Sequence, residues 1–187
     1  MRLETTVLLI VDVQNGFITS DTEHVIAGIA ELADKWQSEG GHVLFSRYFN
    51  YTGSEFERLI NWRKLYAAPD TDLAEQLKPY GGREEEAVFD KRGYSAVTEE
   101  FLRQVHRHGW TDIVVCGIDT ELCVLTTAFD AFDAGLTPWV VTDMSASTGG
   151  PRAHNAGLLV MARGIGEQQL VTVSQLFDVI LDRNSKF

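Results

Sequence analysis

Residues Thr6 to Val11 read Thr-Val-Leu-Leu-Ile-Val, and Asp12, Val13, Gln14, Asn15 and Gly16 follow. The run is β-branched, close to continuously apolar and free of polar alternation. That is the signature of a strand covered on both faces, which occurs in parallel sheets flanked by helices. It stops abruptly at a carboxylate, and polar residues at the end of a buried strand are where α/β proteins place ligands.

Working outward, the same grammar recurs. Thr22 to Glu39 carries Val25, Ile29, Leu32, Ala33 and Trp36 at helical spacing, and Gly40-Gly41 ends it. His42 to Ser46 reads as a second short strand around Val43-Leu44-Phe45. A long stretch rich in aromatics runs from Arg47 to about Gly82, with a helix expected over Thr71 to Lys78. Two readings of it stay open: a cover over a pocket mouth, or an insertion packing its aromatics on the scaffold. Ala87-Val88-Phe89 is a strand ending at Asp90-Lys91. Ser95 or Thr98 caps the next helix, which buries Phe101, Leu102 and Val105. Asp112 to Gly117 is another apolar strand, and a helix is expected from about Leu122 to Ala134. Trp139-Val140-Val141 forms a strand ending in Thr142 and Asp143. His154 to Arg163 is helical, Leu170-Val171 is a last strand, and a terminal helix holds Leu176, Phe177, Ile180 and Leu181.

This alternation predicts a three-layer α/β/α sandwich around a mostly parallel, six-stranded sheet. The chain has 187 residues, one domain's worth, and no linker or repeat divides it, so residues 1–187 are read as a single domain. A formal net charge of -11 disfavours nucleic acid and anionic lipid as partners. No run approaches the roughly 18 apolar residues of a membrane span, and Met1 to Asp12 lacks a signal-peptide pattern. The two cysteines, Cys116 and Cys123, are read as thiols of a reducing compartment, so a cytoplasmic location is expected. No Gly-x-Gly-x-x-Gly follows the first strand, and no lysine-ended phosphate loop is present, so no nucleotide cofactor is expected.

Cys123 lies where a buried strand passes into a helix. Backbone N–H groups there stabilise a thiolate and can receive the oxyanion formed when it attacks a carbonyl. A buried structural cysteine is the competing reading, and it is the favoured one for Cys116 in mid-strand. Asp12 and Lys91 end two other strands, and in a parallel sheet all three positions converge on one edge. A lysine ammonium favours a thiolate, and a carboxylate can accept the thiol proton.

The motifs around these residues resemble those of the isochorismatase-like cysteine hydrolases, the family of nicotinamidase-related amidohydrolases. Leu9-Ile10-Val11-Asp12-Val13-Gln14-Asn15-Gly16-Phe17 is similar to the opening motif, Lys91-Arg92-Gly93-Tyr94-Ser95-Ala96 to the lysine motif, and Val115 through Val124 to the nucleophile motif. The likeness runs from about Thr5 to Leu181. It implies Asp12 as general base, Lys91 as its cationic partner and Cys123 as nucleophile. It also implies a non-proline cis peptide at Ile118-Asp119 and an oxyanion hole from amides near Asp119 and Cys123. The implied reaction is C–N hydrolysis of a small amide or carbamoyl compound through a thioester, in a homo-oligomer (dimer or tetramer). The alternatives are isochorismatase-type vinyl-ether hydrolysis and a catalytically silent oligomeric binding protein. Gln14, Phe17, Arg47, Phe49, Trp62 and Tyr94 are the expected substrate contacts.

The sequence departs from the nicotinamidase branch at the metal position. Tyr48 and Asn50 stand where aspartate and histidine are usual, and no histidine occurs from Val43 to Val105, so no metal is expected. Substrate charge stays open. Arg47, Arg92 and Arg152 suit a carboxylate, whereas Asp119 and Glu121 suit an amino group.

Overall fold

The computed structural model describes residues 1–82 and 86–184, with the side chains of residues 181–184, Leu181 among them, outside the described set. The strands are β1 (Thr6–Val11), β2 (His42–Tyr48), β3 (Val88–Lys91), β4 (Asp112–Ile118), β5 (Thr137–Ala146) and β6 (Leu170–Val171). They form one sheet in the order β3-β2-β1-β4-β5-β6, and every pairing is parallel. The direction of strand progression reverses between β1 and β4. Such a switch point opens a crevice beyond the carboxyl ends of the strands.

The helices are α1 (Ile26–Ser38), α2 (Glu55–Ile60), α3 (Lys78–Gly81), α4 (Glu99–His108), α5 (Leu125–Asp133), α6 (Gly150–Ile165) and α7 (Val173–Asn184). Alternate residues of β1 explain its continuous apolar run. Leu8 and Ile10 join one core with Ile29, Trp36, Leu176 and Phe177, supplied by α1 and α7. Val7, Leu9 and Val11 join the other with Phe101, Ala128 and Met161, supplied by α4, α5 and α6. All six residues of β1 are buried. Among the described residues no helix is long and apolar enough to cross a membrane.

Several boundaries differ from the sequence expectation. The helix expected over Thr71 to Lys78 is instead a 3-10 turn, Glu75–Leu77, followed by α3. Helix α2 was not expected. It is short, and its start is set by Ser54, whose hydroxyl accepts from Glu57 N at 3.1 Å. Of the two possible caps for α4, Thr98 serves, accepting from Phe101 N at 3.2 Å. Strand β5 runs on through Thr142 and Asp143 because its register slips between Val115 and Gly117 of β4. Ser145 Oγ donates to Val141 O within this irregular stretch at 2.8 Å.

Candidate active site

Asp12 ends β1 with a positive φ of 51°, a conformation in which aspartate is enriched over other residues. Its N–H donates to Ser46 O at 3.2 Å, while Ser46 Oγ donates to Asp12 Oδ1 at 2.7 Å. The register pairing Val11 with Ser46 places that hydroxyl beside the carboxylate. Lys91, the last residue of β3, reaches Asp12 Oδ2 with Nζ at 2.6 Å, and neither side chain has any solvent exposure. Lys91 Nζ also donates to Gly93 O and Tyr94 O, each at 2.8 Å. The carbonyls anchor the ammonium, leaving its remaining N–H directed at Asp12 and Cys123.

Cys123 arrives from the other side of the switch point. Gly117, near the end of β4, has a φ of 124°, and a Cβ there would run into Val11 O. Only glycine permits this close approach of β4 to β1. The Ile118–Asp119 peptide is cis. The chain then makes a π-helical turn, Thr120–Val124, before α5, with Val124 N donating to Asp119 O at 3.0 Å. The turn carries Cys123 close enough to Asp12 and Lys91 for both charges to act on its thiol.

Burial pushes the Cys123 thiol well above its ordinary value; Asp12 adds to the rise and Lys91 pulls against it. The lowering expected from a helix terminus and a lysine is therefore outweighed. In the free protein the thiol is therefore protonated at neutral pH. Burial works against the Lys91 ammonium, the Asp12 carboxylate pulls the other way, and the net shift of Lys91 is upward. Cys116 is fully buried in the core, which pushes its thiol up and leaves it inert.

Cys123 opens onto a cavity of about 450 Å³. Asp12 and Lys91 sit behind the sulfur and do not line it. Of the expected substrate contacts, Phe17, Trp62 and Tyr94 do line it, together with Tyr48 and Phe56. Phe17 stacks on Trp62 at 5.9 Å, Tyr48 meets Phe56 at 5.0 Å, and Phe56 meets Tyr94 at 4.9 Å. The aromatic stretch thus covers the pocket and packs on the scaffold at once.

Gln14, Arg47 and Phe49, also expected as substrate contacts, are not among the described residues that line the cavity. Gln14 is fully buried, accepting from Tyr48 N at 2.7 Å and donating to Tyr48 O and Thr71 O. Arg47 points to the sheet face opposite Ser46 and Tyr48, as strand alternation requires. It pairs with Asp90 at 2.8 Å and lies over the Phe49 ring. Arg92 and Arg152 do not line the cavity either.

Two carboxylates do. Asp119, 5% exposed, accepts from Thr148 N at 2.6 Å and Thr148 Oγ1 at 2.9 Å. Burial lifts it to about 6 against the downward pull of Thr148. Glu121 accepts from Ser147 Oγ at 2.8 Å. Sequence reasoning missed Ser46, Thr148 and Phe56. Ser46 had a signal, a polar residue ending a buried strand. Thr148 had none, because it reaches Asp119 only through the slipped register of β5.

The position of the nicotinamidase metal holds neutral groups. Tyr48 Oη donates to Asn50 Oδ1 at 3.2 Å, and Ser54 Oγ donates to the same oxygen at 2.6 Å. Burial pushes the Tyr48 phenol up, so it stays protonated. A neutral amide and a phenol already bonded to each other do not fit a divalent cation. Among the described residues no group of three or more His, Cys, Asp or Glu could hold a metal ion.

A thiol, a carboxylate and an ammonium are gathered at the switch point of the all-parallel sheet of this α/β protein. The isochorismatase domain model matches residues 6–175, and the chain belongs to the isochorismatase-like hydrolase family. It is 26% identical over 162 residues to Nicotinamidase 3 of Arabidopsis thaliana, covering 84% of this chain and 80% of the relative. It is also 26% identical to the uncharacterized isochorismatase family protein YwoC of Bacillus subtilis, covering 89% and 90%. The crystal structure of an isochorismatase family protein from Desulfovibrio vulgaris superposes with a TM-score of 0.79 at 27% identity, covering 95% of this chain and 98% of that one.

Proposed function

We propose that this chain is a cysteine-dependent amidohydrolase that releases ammonia from a small amide or carbamoyl compound. The observation that carries the reading is the fully buried Asp12–Lys91 pair beside a cysteine that opens onto an aromatic-lined cavity. Asp12 takes the Cys123 proton as the sulfur attacks the carbonyl carbon, and Lys91 balances the charge that passes between them. Backbone amides at Asp119 and Cys123 receive the oxyanion. Collapse of the tetrahedral adduct breaks the C–N bond, and Asp12 returns its proton to the leaving nitrogen, which departs as ammonia. Water then attacks the thioester. Asp12 takes a proton from that water and delivers it to the departing sulfur, leaving the carboxylic acid as product.

The aromatic walls select a planar or apolar acyl portion. The test is rapid quenching of the protein during turnover of a panel of primary amides, followed by peptide mass spectrometry. The expected result is an added mass equal to substrate minus ammonia on the peptide holding Cys123. Ammonia-free cleavage of a vinyl ether, with no such adduct, would favour the isochorismatase-type alternative.

A further inference from the structure

We propose that the substrate is cationic, a small amide whose protonated amino group is received by Asp119 and Glu121 at the end of the cavity while its apolar body lies against the aromatic walls. This rests on the amidohydrolase reading above and adds the charge of the substrate to it.

The charges that face the cavity are unequal. Asp119 and Glu121 line it, and the only lysine among its described lining residues, Lys64, is exposed at the rim. Asp12 and Lys91 neutralise each other behind the sulfur. No arginine is among the described lining residues, so the bidentate donor that a carboxylate substrate would want is missing.

Nor does the protein neutralise the two carboxylates itself. Asp119 is held only by the neutral N–H and hydroxyl of Thr148. Glu121 Oε1 takes the Ser147 hydroxyl, while its Oε2 is buried without a hydrogen-bond partner among the described residues. That oxygen is shielded from the cavity, so no ligand atom bonds it directly, but with no donor of its own it leaves a negative charge beside the cavity that a bound cation would offset. His154 is a group whose positive charge would act on Glu121. Its ring Nδ1 bonds Thr120 Oγ1 at 2.8 Å, and burial moves it toward its neutral form. The partner these carboxylates lack is therefore supplied from outside.

The aromatic lining suits the apolar body of such a substrate: Trp62, Tyr48 and Phe56 have ring centroids 5.0 to 6.1 Å apart and all three line the cavity. A positive charge near Cys123 also serves the chemistry. The sulfur lies among Asp12, Asp119 and a single lysine, and both carboxylates disfavour its thiolate. A substrate cation would offset that field only once bound, confining nucleophile activation to the complex.

Three para-substituted benzamides of matched shape test this: 4-(aminomethyl)benzamide, 4-methylbenzamide and 4-carbamoylbenzoate. Ammonia release should give a kcat/KM at least about tenfold higher for the cation than for the neutral amide, with the anion slowest. Glu121→Gln should shrink the cation-to-neutral ratio, and raised ionic strength should do the same. Equal rates, or an anion preference, overturn the charge assignment while leaving the amidohydrolase reading in place. If none of the three is turned over, calorimetric binding of each to Cys123→Ala protein decides it. Tighter binding of the cation supports the assignment. Equal, absent or anion-favoured binding overturns it.

Discussion

Ser46 Oγ donates to Asp12 Oδ1 at 2.7 Å in a buried setting, a charge-assisted bond worth about 1.5–3 kcal/mol. It fixes the carboxylate so that its other oxygen faces Lys91. Ser46→Ala should therefore lower kcat by about tenfold to a hundredfold with KM little changed, read from initial rates of ammonia release. An unchanged kcat would show that Lys91 alone orients the base. Asp119 makes a second residue-level prediction. Its value rises from the ordinary 3.8 to about 6 in the folded chain. The folded state thus holds this proton more tightly than the unfolded one. The associated stability is present below pH 3.8 and is lost as pH rises through 6. Asp119→Asn removes that loss while keeping an oxygen for Thr148. The variant should gain about 2 kcal/mol relative to the parent between pH 4.5 and pH 7, measured by urea unfolding at both. A difference independent of pH would contradict the shift. The convergence of Asp12, Lys91 and Cys123 was legible in the sequence because Asp12 and Lys91 sit at strand ends and Cys123 in the turn just after β4, where topology fixes their places. Gln14 and Arg47 lie away from the cavity lining. Their types suit a ligand, but Gln14 spends its hydrogen bonds on the buried backbone and Arg47 falls on the wrong phase of its strand.

At the scale of elements, β4 and the turn after it decide where the sulfur goes. Gly117 lets β4 press against Val11 O, and the π turn adds the extra residue that swings Cys123 toward Asp12. Gly117→Ala places a methyl group both against that carbonyl and at a φ of 124°. It should cost about 3 kcal/mol or more, with turnover falling even at temperatures where the variant stays folded. Denaturant midpoints and rates on the same preparation check both. Near-wild-type values would mean the strand ends approach each other less closely than described. The strand-helix order was readable because continuous apolar runs and 3.6-residue spacing are strong signals. The π turn was not, since one additional residue in a helical turn leaves no mark on composition or period. Helix α2 escaped for a related reason: with 6 residues it is too short to display a stripe. The length of β5 escaped because Thr142 and Asp143 look like a strand end, while the slipped register carries the strand past them.

Across the molecule, one all-parallel sheet brings residues 12, 91 and 123 to a common edge, and the stretch between β2 and β3 roofs that edge with aromatic rings. The sheet, being two-sided and apolar, was legible from Thr6 to Val11 alone. The cavity's negative character was only half legible, because Asp119 and Glu121 competed on paper with arginines that the fold turns elsewhere. What the assembled site is held to do is make and break a bond at one sulfur atom. Ammonia release from an amide that the parent protein hydrolyses, measured side by side for the parent and Cys123→Ala, tests this most directly. Loss of turnover by a factor of about a thousand or more, with the substituted protein still folded, is the predicted result. Hydrolysis continuing at the parent rate without that sulfur would contradict it.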